Sequence, residues 1–369
     1  MVYEISTIFW GRSIFMLRLA IDELSISFTT GEDFVLTKLE NWNIICNNFM
    51  YRVAKNLKFK DEPELAKSNL IAYDITYNYG SVNPIKFGYH SVNVKSGMTL
   101  KFHAVALGKY LEYSGISVME LLRIVQSTAQ DRGFVMRVRR IDLVVDYINE
   151  NIISVDSIYK GLRNGSIEIL DKNENINRSS INSFENNFKT NTIYVGQKKT
   201  SERFMRIYDK KVEQLTIGGV HYEKAKEYKQ WIRFEASYKK NLATQLGEMI
   251  LEVITDKDLI SFIAGQILQK YQFYKNGKRM NITTKLSEMV EFPVVSPLLE
   301  YNKNNDLVKL MDYFLVGDSG LQSLLYQIRM LEGEEEMYEY INRLIEYQMN
   351  GYKPSENVKK RIKMRQDEK

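Results

Sequence analysis

At 369 residues, the chain has length enough for two domains, and 44% hydrophobic with 26% charged side chains is the composition of an ordinary soluble globular protein. A net charge of +5 permits nucleic-acid binding without requiring it, while the lone Cys46 excludes an internal disulfide and a cysteine-rich zinc site. The three histidines, His90, His103 and His221, are too scattered for a histidine-clustered metal site, and no apolar run approaches the ~20 residues of a membrane span, so a cytoplasmic protein is expected.

Residues 1–18 read as an N-terminal extension. Leu17 to Phe28 opens as a strand with a polar break at Asp22-Glu23, and Glu32 to Ala54 has helical spacing. Leu70 to His103, rich in Tyr, Val and Thr and broken by Gly80, Pro84, Gly88 and Gly97, predicts several antiparallel strands. Helical spacing returns over Tyr110 to Gln130. Val135 to Tyr147 (VMRVRRIDLVVDY) is strand-like, and alternation puts Arg140, Asp142, Val144 and Asp146 on one face. Carboxylates on so apolar a strand are costly to bury without partners. They are either an ion-paired or solvated sheet face, or a metal or proton site on a rigid strand.

Asp156 to Leu170 predicts a short helix and turn. Asp171 to Asn191, dominated by Asn and Ser, predicts a long surface loop. Next come Thr192 to Val195, a turn at Gly196-Gln197, and a second run, Arg203 to Tyr208. Residues two apart on a strand share a face, so Arg206, Tyr208 and Lys210 project together. With 24 tyrosines in the chain, Tyr208 can be a packing residue. It can also be a phosphate-attacking nucleophile whose flanking cations bind the phosphodiester and favour the phenolate. After a charged helical stretch, Lys211 to Lys229, a third run, Trp231 to Tyr238, shows Arg233, Glu235 and Ser237 on one face. Beyond Asn241 the pattern turns helical: Leu242 to Tyr274, a break at Pro293 and Pro297, then Leu307 to Phe314, Leu321 to Leu331 and Met337 to Met349. Glu334-Glu335-Glu336 suits a helix start, and a basic tail runs from Lys359 to Arg365. The division expected is an extension (1–18), a catalytic domain (19–245) and a mainly helical region (246–369).

Three motifs fall in order: R-x-D-x-x-x-D at Arg140 to Asp146, R-x-Y-x-K-x-x-E at Arg206 to Glu213, and W-x-R-x-E at Trp231 to Glu235. With the Y-x-G turn at Tyr194 to Gly196, the stretch from Leu19 to Lys240 resembles the replication initiation factor family, the initiators of rolling-circle plasmids and related conjugative relaxases. The resemblance implies an α+β fold: a curved, duplicated antiparallel sheet like the saddle of TATA-binding proteins, with a helical C-terminal region and a homodimeric assembly. It implies a DNA nicking-closing enzyme that is topoisomerase-like and passes through a 5′-phosphotyrosine. Tyr208 carries over as its nucleophile, with Arg206 and Lys210 on the phosphoryl oxygens. Asp142 and Glu235 carry over as ligands of Mg²⁺ or Mn²⁺, a third ligand coming from Asp146, Glu213 or water because Ser237 stands where some members have a second carboxylate. Arg140, Arg233, Lys198 and Lys199 would bind DNA phosphates. The partners implied are origin or transfer-origin DNA, duplex or hairpin and single strand. A separate host helicase joins them, since the chain has no P-loop. A plasmid initiator is favoured over a relaxase, and a non-catalytic copy-control binder is the contrasting class.

Overall fold

The computed structural model describes residues 7–10, 13–31, 42–67, 70–150, 152–177, 179–186, 189–291 and 320–351. The break at Pro293 and Pro297, the helix expected at 307–314, the basic tail and the first part of the helix expected from 32 lie outside them. The chain divides into one compact unit over Met1–Leu298 and another over Leu299–Lys369. The domain change expected near 245 thus falls inside the first unit, because the helices that follow it pack on its sheet. The described part of the second unit is a pair of helices, α10 (Gly320–Leu331) and α11 (Glu334–Asn350), the latter opening on its three glutamates.

The first unit is built on an antiparallel sheet of eleven strands among the described residues. Two long strands, β2 (Ser13–Thr30) and β7 (Phe134–Ile148), pair at its centre. Outward from β2 lie β6 (Met98–Phe102), β5 (Ile85–Tyr89), β4 (Ile75–Tyr79) and β3 (Pro63–Leu65), with β1 (Thr7–Trp10) on the start of β2. Outward from β7 lie β12 (Trp231–Lys239), β11 (Arg203–Asp209), β10 (Lys189–Val195) and β9 (Ile181–Asn186). Each half runs long strand, helix, then further strands, the last of which returns beside the first. The order on one side of the β2/β7 seam mirrors the other, which is the duplicated topology expected.

One sheet face is covered by helices: α1 (Trp42–Asn56), α2 (Ala104–Ser114), α3 (Val118–Gln130), α4 (Val155–Asn164), α7 (Lys240–Glu252), α8 (Asp256–Leu268) and α9 (Asn281–Ser287). Phe28, Phe49, Phe87, Leu143, Phe234 and Leu246 belong to the single large core between sheet and helices. Strand alternation selects these residues until β2 reaches Asp22. There an extra residue interrupts the register, with Ile21 opposite Leu143 but Glu23 opposite Asp142. The bulge shifts the inward phase from Leu19 and Ile21 to Leu24, Ile26 and Phe28, all buried. The break at Asp22-Glu23 is therefore a change of phase within one strand.

Four other expectations are corrected. The Asn/Ser-rich stretch is not all loop: β9, an edge strand, forms within it and pairs with β10, an edge place where polar side chains are tolerated. Gly115, at φ +72°, divides the helix expected over 110–130 into α2 and α3. The end of the expected 242–274 helix is strand β13 (Gln272–Lys275), which pairs with β8 (Ile167–Leu170) and β14 (Lys278–Arg279) in a separate small sheet. Lys210 does not continue β11, because Asp209 accepts a hydrogen bond from the Val212 amide and starts helix α5 (Lys210–Ile217).

Candidate active site

The second face of the sheet carries the expected site residues. On β12, Arg233 lies opposite Asp146 of β7 and Tyr208 of β11, while Glu235 lies opposite Val144 and Arg206. Ser237 lies opposite Asp142. The period of two then puts Arg140, Asp142, Asp146, Arg206, Tyr208, Arg233 and Glu235 on one face. Helices α5 and α6 (Tyr222–Glu227) stand over the end of this face, where Met16, Ile148, Ala225 and Trp231 form a small second core.

At the centre, the Tyr208 hydroxyl donates to Glu235 Oε2 at 3.3 Å, and Arg206 Nη2 donates to the same oxygen at 2.6 Å. The Arg206 guanidinium lies 4.5 Å from the Tyr208 ring centre and Lys210 Nζ 5.6 Å. Lys210 also pairs with Glu213 one turn along α5. Tyr208 is only 4% exposed. Burial pushes its hydroxyl well above the usual tyrosine range; Arg233 and Arg206 pull it down, and Glu235 pushes it further up. The cations do not favour the phenolate as expected, because desolvation outweighs them. Tyr208 is a neutral phenol held against a carboxylate. Burial also raises Glu235, against the pull of Arg206 and with the repulsion of Asp142 and Asp22.

Each carboxylate on this face has an arginine. Arg140 grips Asp142 through Nε at 3.0 Å and Nη2 at 2.7 Å, and reaches Glu23 through Nη1 at 3.0 Å. Arg233 grips Asp146 through Nε at 2.7 Å and Nη2 at 2.8 Å, and Asp22 through Nη1 at 3.0 Å. Arg18 adds a bond to Asp146 at 3.3 Å. Burial alone would raise the Asp146 carboxyl, but Arg233 and then Arg18 hold it below the usual range. Asp142 is raised by burial and by Glu23, against Arg140.

These pairings bear on a divalent ion. The donor chemistry suits Mg²⁺ or Mn²⁺, since Glu23, Asp142 and Glu235 offer hard oxygens on one face. Among the described residues, no group of three or more His, Cys, Asp or Glu could hold a metal ion, so no third ligand of those types joins Asp142 and Glu235. Asp146, with no exposed surface, gives both oxygens to guanidinium groups. Arg233, 2% exposed and bound to Asp146 and Asp22, is a buried counter-ion here and does not reach a phosphate. Arg140 is partly exposed, and Lys198 and Lys199 stand in the open turn between β10 and β11. That turn begins at Gly196, whose φ of +97° disfavours any other residue.

Three residues of the cluster, Arg18, Asp22 and Glu23, were not among those expected. Their signal was the break in alternation at Asp22-Glu23, which turns two successive carboxylates toward the arginines.

The family model described as replication initiation factor matches residues 136–292. Among solved structures, the chain is similar to the rolling circle replication initiator protein from Geobacillus stearothermophilus. The TM-score is 0.52 at 17% identity, over 76% of this chain and 100% of that one, a likeness of fold. No curated protein sequence matches. The replication initiation factor model thus falls on the stretch that holds Tyr208, Glu235, Asp142 and their arginines.

Proposed function

We propose that this protein initiates rolling-circle replication by nicking one strand of its origin DNA, with Tyr208 as nucleophile and Glu235 as its general base. The observation that carries the reading is the shared Glu235 oxygen, which accepts from both Tyr208 and Arg206. A buried neutral phenol attacks only as it loses its proton, and the adjacent carboxylate is placed to take it. The Tyr208 oxygen bonds to phosphorus, the bond from phosphorus to the 3′-oxygen breaks, and the leaving oxygen takes the proton from Glu235. The products are a 5′-phosphotyrosine and a free 3′-hydroxyl able to prime a polymerase, and the reverse attack reseals the strand. Arg206 Nε is buried without a partner among the described residues, a donor available to a phosphoryl oxygen. A conjugative relaxase would share this chemistry, and a separate helicase and a second copy of the chain remain expected partners.

The burial of Tyr208 favours one second reading, a non-catalytic DNA binder in which the ring only packs. Denaturing electrophoresis of protein mixed with labelled single-stranded origin DNA and Mg²⁺ separates the two. Wild type should give a slow covalent band, and Tyr208→Phe should lose it while giving up about 1 kcal/mol of stability with the hydrogen bond. A band that persists moves the nucleophile to Tyr194, which faces Arg206 across the β10/β11 pair. Tyr238 is unsuited, since its hydroxyl is tied to the Gln266 carbonyl on the helical face. No band from wild type supports the binder.

A further inference from the structure

Beside the catalytic cluster lies a cavity of about 410 Å³ that the chemistry above does not use. It follows one edge of β2. On that edge β1 pairs with residues 13–16 and β6 with residues 24–28, so no described strand pairs with 17–23. An unpaired strand edge presents amide donors and carbonyl acceptors sideways, here into a concave space. The floor is aliphatic, with Leu19 and Ile21 of β2 facing Val105 of α2 and Ile260 of α8. The rim includes Lys210 and Arg233, both neighbours of Tyr208, and also Arg18, whose Nε is buried without a partner among the described residues. Lys109 and Lys224 join Arg18, Lys210 and Arg233 in the lining, with Arg18 and Arg233 shared with Asp146 and Lys210 with Glu213. His221 on the same rim is pushed down to about 4 by burial and then by Arg18, Arg233 and Lys210, so it is a neutral imidazole near pH 7, able to donate and accept.

We infer that this cavity takes one unstacked nucleotide of the substrate strand, next to the phosphate presented to Tyr208. The base would lie on the aliphatic floor with its polar edge along β2, and its phosphate would lie on the Arg18–Lys210 rim. A lipid would suit the floor but would leave the cationic rim and the strand edge unmatched, and an apolar peptide, though able to pair with the edge, would leave the cationic rim unmatched. The inference rests on the DNA-nicking reading, and its test is therefore made by binding alone, in a protein that cannot cut.

Gly108 of α2 supplies the lever. It lines the cavity, and a Cβ added there meets no atom within 4 Å. Gly108→Trp should fill the space, and replacing a helical glycine favours the helix, so the variant should fold. In the Tyr208→Phe background, fluorescence anisotropy compares a labelled single strand of origin sequence with the same strand carrying one abasic residue at each position in turn. One abasic position should weaken binding about tenfold, the scale of burying a base-sized apolar surface. Gly108→Trp should weaken the intact strand by a similar factor and abolish that positional dependence. Abasic effects equal at all positions, or unchanged in Gly108→Trp, overturn the nucleotide site whatever the fate of Tyr208. Failure of wild type to nick, with the positional effect intact, would overturn the catalytic reading and leave the cavity assignment standing.

Discussion

A phenol, a carboxylate and a guanidinium sharing one oxygen set the pH behaviour of the site. Glu235 must be ionised to accept the Tyr208 proton, and its carboxyl is raised above the usual range. The single-turnover nicking rate should therefore climb through a pH range higher than an ordinary carboxylate gives, then level off. Glu235→Gln should lose that limb and about 10²–10⁴ in rate, the usual contribution of a positioned base. An unchanged profile in the variant would place the base elsewhere. Asp146 behaves oppositely. Its carboxyl is held below the usual range, so its stabilisation is present above an unfolded pKa of about 3.9 and is lost as pH falls through the folded value. Asp146→Asn leaves Arg233 buried without a full counter-charge and should cost about 3–5 kcal/mol in urea denaturation at pH 7. A cost near zero would mean that Arg233 finds another partner, and Asp146 would return as a candidate metal ligand.

Strand and helix contacts decide how much of this was legible in advance. Alternation alone placed Arg140, Asp142, Arg206, Tyr208, Arg233 and Glu235 on a common side of their strands, because the side-chain period is independent of tertiary context. Which strands adjoin was not legible, so the pairings of Arg233 with Asp22 and Arg140 with Glu23 came only with the β2/β7 seam. Nor was the degree of burial, which reversed the expected ionisation of Tyr208. The Asn/Ser-rich strand β9 was hidden because an edge strand needs backbone pairing more than apolar side chains. At the β7/α7 contact the requirement is steric: a Cβ on Gly247 would lie 2.4 Å from Val138 Cγ2. Gly247→Ala should destabilise by about 1–3 kcal/mol despite its better helix propensity, and Val138→Ala should relieve part of that cost. Simple additivity of the two changes in denaturant would show that the helix moves away from the strand instead.

At the scale of the whole sheet, the duplicated topology joins the half that carries Tyr208 to a first half whose site-side surface is basic. Cross-strand pairing runs from Lys86 to Lys101, on to Ser25, then Arg140, then Lys239, a row that crosses both halves. The local field is visible at His103, pushed down to about 4 by burial and then by Lys101, Lys86 and Arg140. Lys198 and Lys199 stand exposed near the far end, where Lys239 donates to the Lys198 carbonyl. A strand lying along this row would release counterions from its phosphates, so log affinity should fall linearly with log salt concentration. Lys101 and Arg140 are already paired with Glu23, and their share of that slope should be smaller than that of the two open lysines. The double variant Lys198→Ala/Lys199→Ala should reduce the slope for single-stranded DNA by about 1.4, at ~0.7 per phosphate contact, with no loss of stability from two exposed side chains. Anisotropy titrations from 50 to 200 mM salt measure both slopes. An unchanged slope would take the β10–β11 turn out of the DNA path and leave the row from Lys86 to Lys239 as the phosphate track. A flat wild-type response would remove nucleic acid as the partner of this face.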